Sequence, residues 1–191
     1  LFALGGEHDQ WDGGGVLTAH QEFDGRVTQM DGASSTNFHA THVAGTMVAS
    51  GLQAQSKGMS HAAELAAYDW NYDNSEMAAA AANGLNVSNH SYGFVHGWRY
   101  DDDWYWWGDI SISDSIDYGF GFYSDASKEW DSIAYYATYY TIVKSAGNDR
   151  NDGGPGPGGG HYAWIGGDWT WNTETRSPDG GSAEFDCIGT Q

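Results

Sequence analysis

The stretch "NFHATHVAGTMVASG", residues 37–51, decides the fold. Residues 38–51 read as a helix: His39, Val43 and Met47 recur at four-residue spacing, while Ala40, Ala44 and Gly45 let a neighbour pack closely. Two histidines, His39 and His42, stand three apart at its start. One reading is a metal pair on one helical face. The zinc-protease form of that idea needs H-E-x-x-H, with a glutamate base and a four-residue spacing; here Ala40 and Thr41 fill a shorter gap. The remaining readings make the histidines core residues, or make one a general base and the other a bystander. The choice depends on the rest of the chain.

Outward from this helix, short apolar strands alternate with small-residue helices, the βαβ signature of a parallel sheet. Residues 63–70 read as a strand. In "DNSEMAAAAANG" (73–84), Asp73, Asn74 or Ser75 can cap a helix and Gly84 can close it. Residues 85–93 read as a second strand with a polar end, 127–140 as a helix, and 141–149 as a buried strand ending in a turn. Residues 94–125, rich in Trp, Tyr and Asp, break the rhythm and read as a long surface insertion, centred on about 95–125. "GGPGPGGG" (153–160) can only be loop. The end, "SPDGGSAEFDCIGTQ", allows no assignment, and no internal repeat is present.

A chain of 191 residues is long enough for one domain with a sizeable core, and 1–191 reads as one. Its formal charge of −19, from 26 acidic and 7 basic residues, excludes a nucleic-acid backbone as partner, because no basic stripe exists to neutralise phosphates. The excess reads as a solvated surface. The single cysteine, Cys187, excludes an internal disulfide framework and a four-cysteine zinc site. Aromatic residues, at 15 %, are too many for a disordered acidic tail. No apolar run approaches the roughly 18 residues of a membrane span, and no signal-peptide pattern is visible. A chain running from Leu1 to "CIGTQ" reads as a piece of a longer polypeptide.

Four segments, in order, carry a resemblance. "HATHVAGT" (39–46) closely resembles the H-G-T-H-V-A-G-T segment of subtilisin-like serine proteases (subtilases, peptidase S8), whose first histidine is the general base. "WDGG" (11–14), followed by "HQEF" (20–23), resembles the segment holding that family's catalytic aspartate. "SNHSYG" (88–93) resembles its substrate-binding strand, and "VKSAGND" (143–149) the A-G-N turn that supplies its oxyanion-hole asparagine. The resemblance runs over about residues 11–150. It implies an α/β fold of three layers, a central, mostly parallel sheet flanked by helices, incomplete at the C-terminus. Two departures stand out. Ala40 replaces a glycine, and "GGEHDQW" before Asp12 is polar where the family's strand is apolar.

The resemblance implies catalytic roles for Asp12, His39 and Asn148. A serine hydroxyl is a weak nucleophile until an imidazole removes its proton, and a buried carboxylate must hold that imidazole in the right tautomer. An asparagine amide can stabilise the developing oxyanion. Asp12 as a turn residue before Gly13-Gly14, and Asn148 as a left-handed turn residue after Gly147, are the competing readings. His42 becomes a packed helix residue. Ser91, Tyr92 and Gly93 are the implied edge on which substrate backbone adds as a strand, and Ser145, Ala146 and Gly147 the wall of the pocket for the residue before the cut.

The family's nucleophile lies in a G-T-S-M-A motif after the asparagine. Neither that motif nor a G-x-S-x-G elbow occurs here, and Ser91 and Ser182 lack the required surroundings. The chain is therefore expected to be a fragment without the nucleophile, inactive alone, from a secreted endopeptidase that acts on polypeptides and has a pro-segment as partner. Catalysis needs no cofactor. The family commonly binds structural calcium, and Glu22 falls where one ligand is implied, against the reading of a solvated surface glutamate; no EF-hand loop occurs. The rival is a non-catalytic binding module on the same scaffold with the Trp-rich insertion as its contact surface; a sugar-binding face at "WYWW" (104–107) is a third idea.

Overall fold

The polar stretch before Asp12 is a strand, and a central one. The computed structural model describes residues 7–150, 152–180 and 187–190. Its elements, in chain order, are β1 (Glu7–Asp12), β2 (Val27–Gln29), α1 (Phe38–Val48), β3 (Glu64–Asp69), α2 (Asp73–Ala82), β4 (Val87–His90), β5 (Trp98–Asp101), β6 (Asp103–Trp106), α3 (Asp125–Tyr136), β7 (Thr141–Lys144), β8 (His161–Ile165) and β9 (Asp168–Asn172). They fall into two compact units, Leu1–Tyr92 with Glu129–Ser145, and Gly93–Lys128 with Ala146–Gln191.

In the first unit five strands form a parallel sheet in the order β2-β3-β1-β4-β7. Helix α1 covers one face, where Ala40, Ala44 and Val48 meet Val27, Leu65 and Ala67. The other face buries Trp11, Met77, Trp130 and Tyr140. Alternation along β1 sends Gln10 and Asp12 toward α1 and Trp11 to the opposite side. Long-range hydrogen bonds answer two of its buried donors, while His8 Nδ1 and Gln10 Oε1 have no partner among the described residues. Gln10 Nε2 donates to Ala40 O (2.9 Å), and Trp11 Nε1 to Glu76 Oε2 (3.0 Å). The Trp11 ring stacks on Tyr68 and His90, with centroids 4.4 and 5.2 Å away. Truncating it to alanine should cost about 3–5 kcal/mol. Asp9 has no such partner among the described residues, and burial, then the nearby Glu7, pushes its carboxyl up to about 7.

Helix α1 begins as expected but ends earlier, at Val48, and its buried stripe is Ala40, Ala44 and Val48, one position round from His39, Val43 and Met47. His42, expected to be packed, is exposed on the outer face. At α2 the N-cap is Tyr72, in left-handed geometry and without a side-chain cap bond, instead of Asp73, Asn74 or Ser75. The charges of Asp73 and Glu76 in the first turn suit the positive end of the helix.

The second unit corrects the reading of residues 95–125 as insertion loop. β5 and β6 form an antiparallel hairpin turning at Asp102 (φ 61°), and β6 pairs in parallel with β8. β8 and β9 form a second hairpin through Gly166-Gly167, both at positive φ, as a tight two-residue turn requires. Trp98, Trp106 and Ala163 are its buried centre.

Candidate active site

Asp12 is the last residue of β1 and is 1 % exposed. The C-terminal edge of a parallel sheet is where such folds place their ligands. Asp12 Oδ1 accepts the amide of Gly13 at 2.7 Å and faces His39 Nδ1 at 2.8 Å; Oδ2 lies 3.0 Å from the same nitrogen. A carboxylate only accepts, so Nδ1 carries a proton, and in the neutral ring the lone pair falls to Nε2. The His39 side chain is 48 % exposed, so this pair joins a buried acid to a base that solvent and ligands can reach.

Local chemistry explains why two residues 27 positions apart meet. Asn37, the N-cap of α1, accepts the amides of His39 (2.7 Å) and Ala40 (3.3 Å) at Oδ1 and donates from Nδ2 to Gly13 O (2.8 Å). One side chain thus starts the helix bearing His39 and ties it to the residue after Asp12. Thr41 adds a second tie: its hydroxyl donates to Asn37 O (2.8 Å) and accepts Leu17 N (3.0 Å). The sequence reading missed Asn37; an asparagine just before a helical period is a capping signal. The buried methyl of Ala40 fits against the sheet, so its replacement of glycine costs no room.

The expected substrate edge lies just past strand ends. β4 stops at His90, so Ser91 and Tyr92 follow it, and Ser145 follows β7 with its amide on His90 O at 3.0 Å. Pairing of Trp11 with His90 and of His90 with Lys144 puts Asp12, Ser91 and Ser145 next in line along one edge. Ser91 Oγ accepts Asn89 Nδ2 (2.9 Å), whereas Tyr92 is half-buried, its hydroxyl donating to Asp73 Oδ2 (2.8 Å). Burial, reinforced by that bond, raises the Tyr92 hydroxyl well above the usual phenol range. Below it His90 is fully buried against Trp130, and its imidazole is pushed down to about 3 by burial, so it stays neutral.

Gly93, Ala146, Gly147 and Asn148 belong to the second unit and are exposed. Gly147 has φ +94°, and the Asn148 side chain makes no hydrogen bond among the described residues. Glu22, expected as a calcium ligand against the reading of a solvated glutamate, is not solvated. It is 7 % exposed, and its carboxylate accepts Ser50 Oγ and the amides of Gly51, Leu52 and Gln53 at 2.7–3.0 Å. Those donors, the Gln53 amide foremost, pull it down to about 2. Through these four bonds Glu22 holds the loop after α1. A groove of about 930 Å³ beside α1 is lined by Leu17, Phe38 and His42 but by neither Asp12 nor His39.

A family model, the Subtilase family, matches residues 16–171. The match takes in His39, Ser91–Gly93 and Ser145–Asn148; Asp12 lies just before it. A comparison with curated proteins found no match. Among the described residues no helix is long and apolar enough to cross a membrane.

Proposed function

Because the chain belongs to the subtilase family of serine proteases, we propose that it carries the acid–base part of a subtilisin-like serine endopeptidase. The observation that supports this most is the bond from His39 Nδ1 to the buried Asp12 carboxylate, which leaves Nε2 available as the base. In the proposed cycle His39 Nε2 takes the proton of a serine hydroxyl as its oxygen bonds to the scissile carbonyl carbon. Asp12 stabilises the imidazolium, and Asn148, by its place in the family's A-G-N turn, donates to the oxyanion. His39 then passes the proton to the leaving amine as the C–N bond breaks, and water releases the acyl group by the same steps in reverse. The serine lies outside residues 1–191, since no G-T-S-M-A motif occurs here. Ser91, Tyr92 and Gly93 hold substrate backbone, and Ser145, Ala146 and Gly147 wall the pocket before the cut. The working place is extracellular, with a pro-segment as partner.

The test compares the 191-residue chain with a longer form that adds the downstream sequence. The longer form should hydrolyse a peptide substrate and react with a serine-directed phosphonate, and His39→Ala should abolish both. The 191-residue chain should do neither. Stoichiometric labelling of a serine within residues 1–191 would overturn the assignment of the nucleophile. A folded longer form without activity would favour the binding-module reading.

A further inference from the structure

The sheet of the second unit carries aromatic rings on both faces, and the two faces are treated differently. Trp98, Trp106 and Ala163 form the buried centre on one side. Alternation sends Tyr105, Trp107, Tyr162, Trp164, Trp169 and Trp171 to the other. Pairing of Trp106 with Ala163 brings Trp107 level with Trp164, and Trp164 pairs with Trp169 across the hairpin. The Trp169 ring centroid lies 5.0 Å from that of Trp107 and 5.4 Å from that of Trp164, at interplanar angles of 70° and 76°. Trp107 and Trp164 are 44 % and 50 % exposed, large apolar rings left open to solvent. With Asp109, Ile110 and Ser111 the three indoles line a pocket of about 760 Å³, within the range of small-molecule sites. Gly108 lets the chain pass from Trp107 to Asp109; a β-carbon there would stand 2.7 Å from the Trp106 ring. Among the described residues lining the pocket, Asp109 is the only ionisable one. Its Oδ1 accepts the Ser111 hydroxyl (2.6 Å) and amide (2.8 Å), while Oδ2 makes no hydrogen bond among the described residues.

The face of an indole attracts a cation through the ring quadrupole, and tryptophan does so best among the aromatic residues. We propose that Trp107, Trp164, Trp169 and Asp109 form a binding site for the quaternary ammonium group of a small organic solute. The arrangement of the rings selects a compact group. Indoles near right angles make walls around such a group, whereas a sugar ring needs a flat platform and several free hydrogen-bonding side chains. The polar side chains here are Asp109 and Ser111, and they bond to each other. Hydrogen-bonding demand selects the kind of cation. A primary ammonium brings three donors and a guanidinium five, and Asp109 Oδ2 alone is left to receive them. Taking such a group out of water would strand its remaining donors. A trimethylammonium has no donor to satisfy and meets the rings with methyl groups. Asp109 supplies the counter-charge: the Ser111 hydroxyl, then the Ser111 amide, hold its carboxyl below the usual range, so it stays ionised. The net charge of −19 draws small cations toward the chain as a whole. The site lies within the second unit and stands independently of the peptidase reading.

The test is calorimetric titration of the 191-residue chain with choline chloride at constant ionic strength, beside Trp164→Ala and Asp109→Asn. An asparagine at 109 can still accept both Ser111 bonds, so that variant keeps the fold, as circular dichroism can check. The expected result is one saturable site with Kd at or below about 10 mM, weakened about tenfold in Trp164→Ala and about fivefold in Asp109→Asn. The uncharged alcohol in which carbon replaces the choline nitrogen has the same shape and should bind at least about tenfold more weakly. Glycerophosphocholine separates a lipid headgroup from a free solute. Its phosphate meets Asp109, so it should bind more weakly than choline, and equal or tighter binding would overturn the assignment to a free solute. If Trp164→Ala misfolds, Asp109→Asn and the uncharged alcohol decide. No saturation up to about 100 mM choline, equal binding of the uncharged alcohol, or a Kd unchanged in either folded variant would each overturn the proposal.

Discussion

Asp12, at the end of β1, and Asp179, in the second unit, are equally hidden from water yet differently answered. Asp12 spends both oxygens on a backbone amide and an imidazole that is itself half-exposed. Asp179 spends one oxygen on a backbone amide and turns the other to nothing, with two like charges, Asp149 and Asp152, close by. A buried acid with an imidazole as partner can steady a charge that comes and goes during proton transfer. One among other acids has no partner of that kind and is held toward its neutral, protonated form. Burial alone therefore does not mark a catalytic carboxylate; the partner does.

The largest expected effect breaks the first region. In an active form that includes the nucleophile, Asp12→Asn should lower kcat by about 10³- to 10⁴-fold with the fold retained, because an amide can favour the wrong imidazole tautomer. Asp152→Asn, in the second region, should leave kcat within about tenfold of wild type. Steady-state kinetics on a peptide substrate compares the two, and equal losses would erase the distinction between them.

A smaller effect concerns Asn148, which immediately precedes the acidic loop. Asn148→Ala should lower kcat by about 100- to 1000-fold with little change in KM or Tm, since the amide acts mainly where charge develops. A lowered Tm with unchanged kcat would make it turn scaffolding instead.

The smallest effect uses Asp9, a third buried acid, three residues before Asp12. Its folded-state value near 7 lies above the ordinary 3.8, so the folded state holds its proton more tightly than the unfolded. Stability contributed by this group is therefore full below about pH 4 and lost as pH rises toward 7. Asp9→Asn should raise Tm by a few degrees at pH 8 and by almost nothing at pH 4. Thermal melts at the two pH values check the sign; a stabilisation confined to acid would refute it.

Much of the first unit was legible because its elements follow local rules. The periods at 38–51 and 63–70 become α1 and β3, with ends moved by a few residues. Strand β1 was hard to read because its burial depends on Ala40 and Glu76, partners 30 and 65 positions away that no local pattern reveals. His42 misled because the buried stripe of α1 is set by where the sheet lies, not by the phase of the apolar residues alone. In the second unit "DWYW" alternates as a strand does, but its aromatic weight read as surface insertion, and "HYAWI" and "DWTWN", which alternate likewise, received no assignment. The two-residue Gly166-Gly167 turn was the overlooked signal. Glu22 was visible as an acid, but not the four donors that claim it, which come from residues 28 to 31 positions later.

The most direct measurement is the position of the proton on the His39 ring, read by long-range ¹H–¹⁵N correlation spectroscopy at a pH where the ring is neutral. It needs only the 191-residue chain. The expected result is a proton on Nδ1 and a bare Nε2, with the Nδ1–H signal altered or lost in Asp12→Asn. A proton on Nε2, or a ring spectrum indifferent to Asp12→Asn, would contradict the assignment of His39 as a base held in place by Asp12.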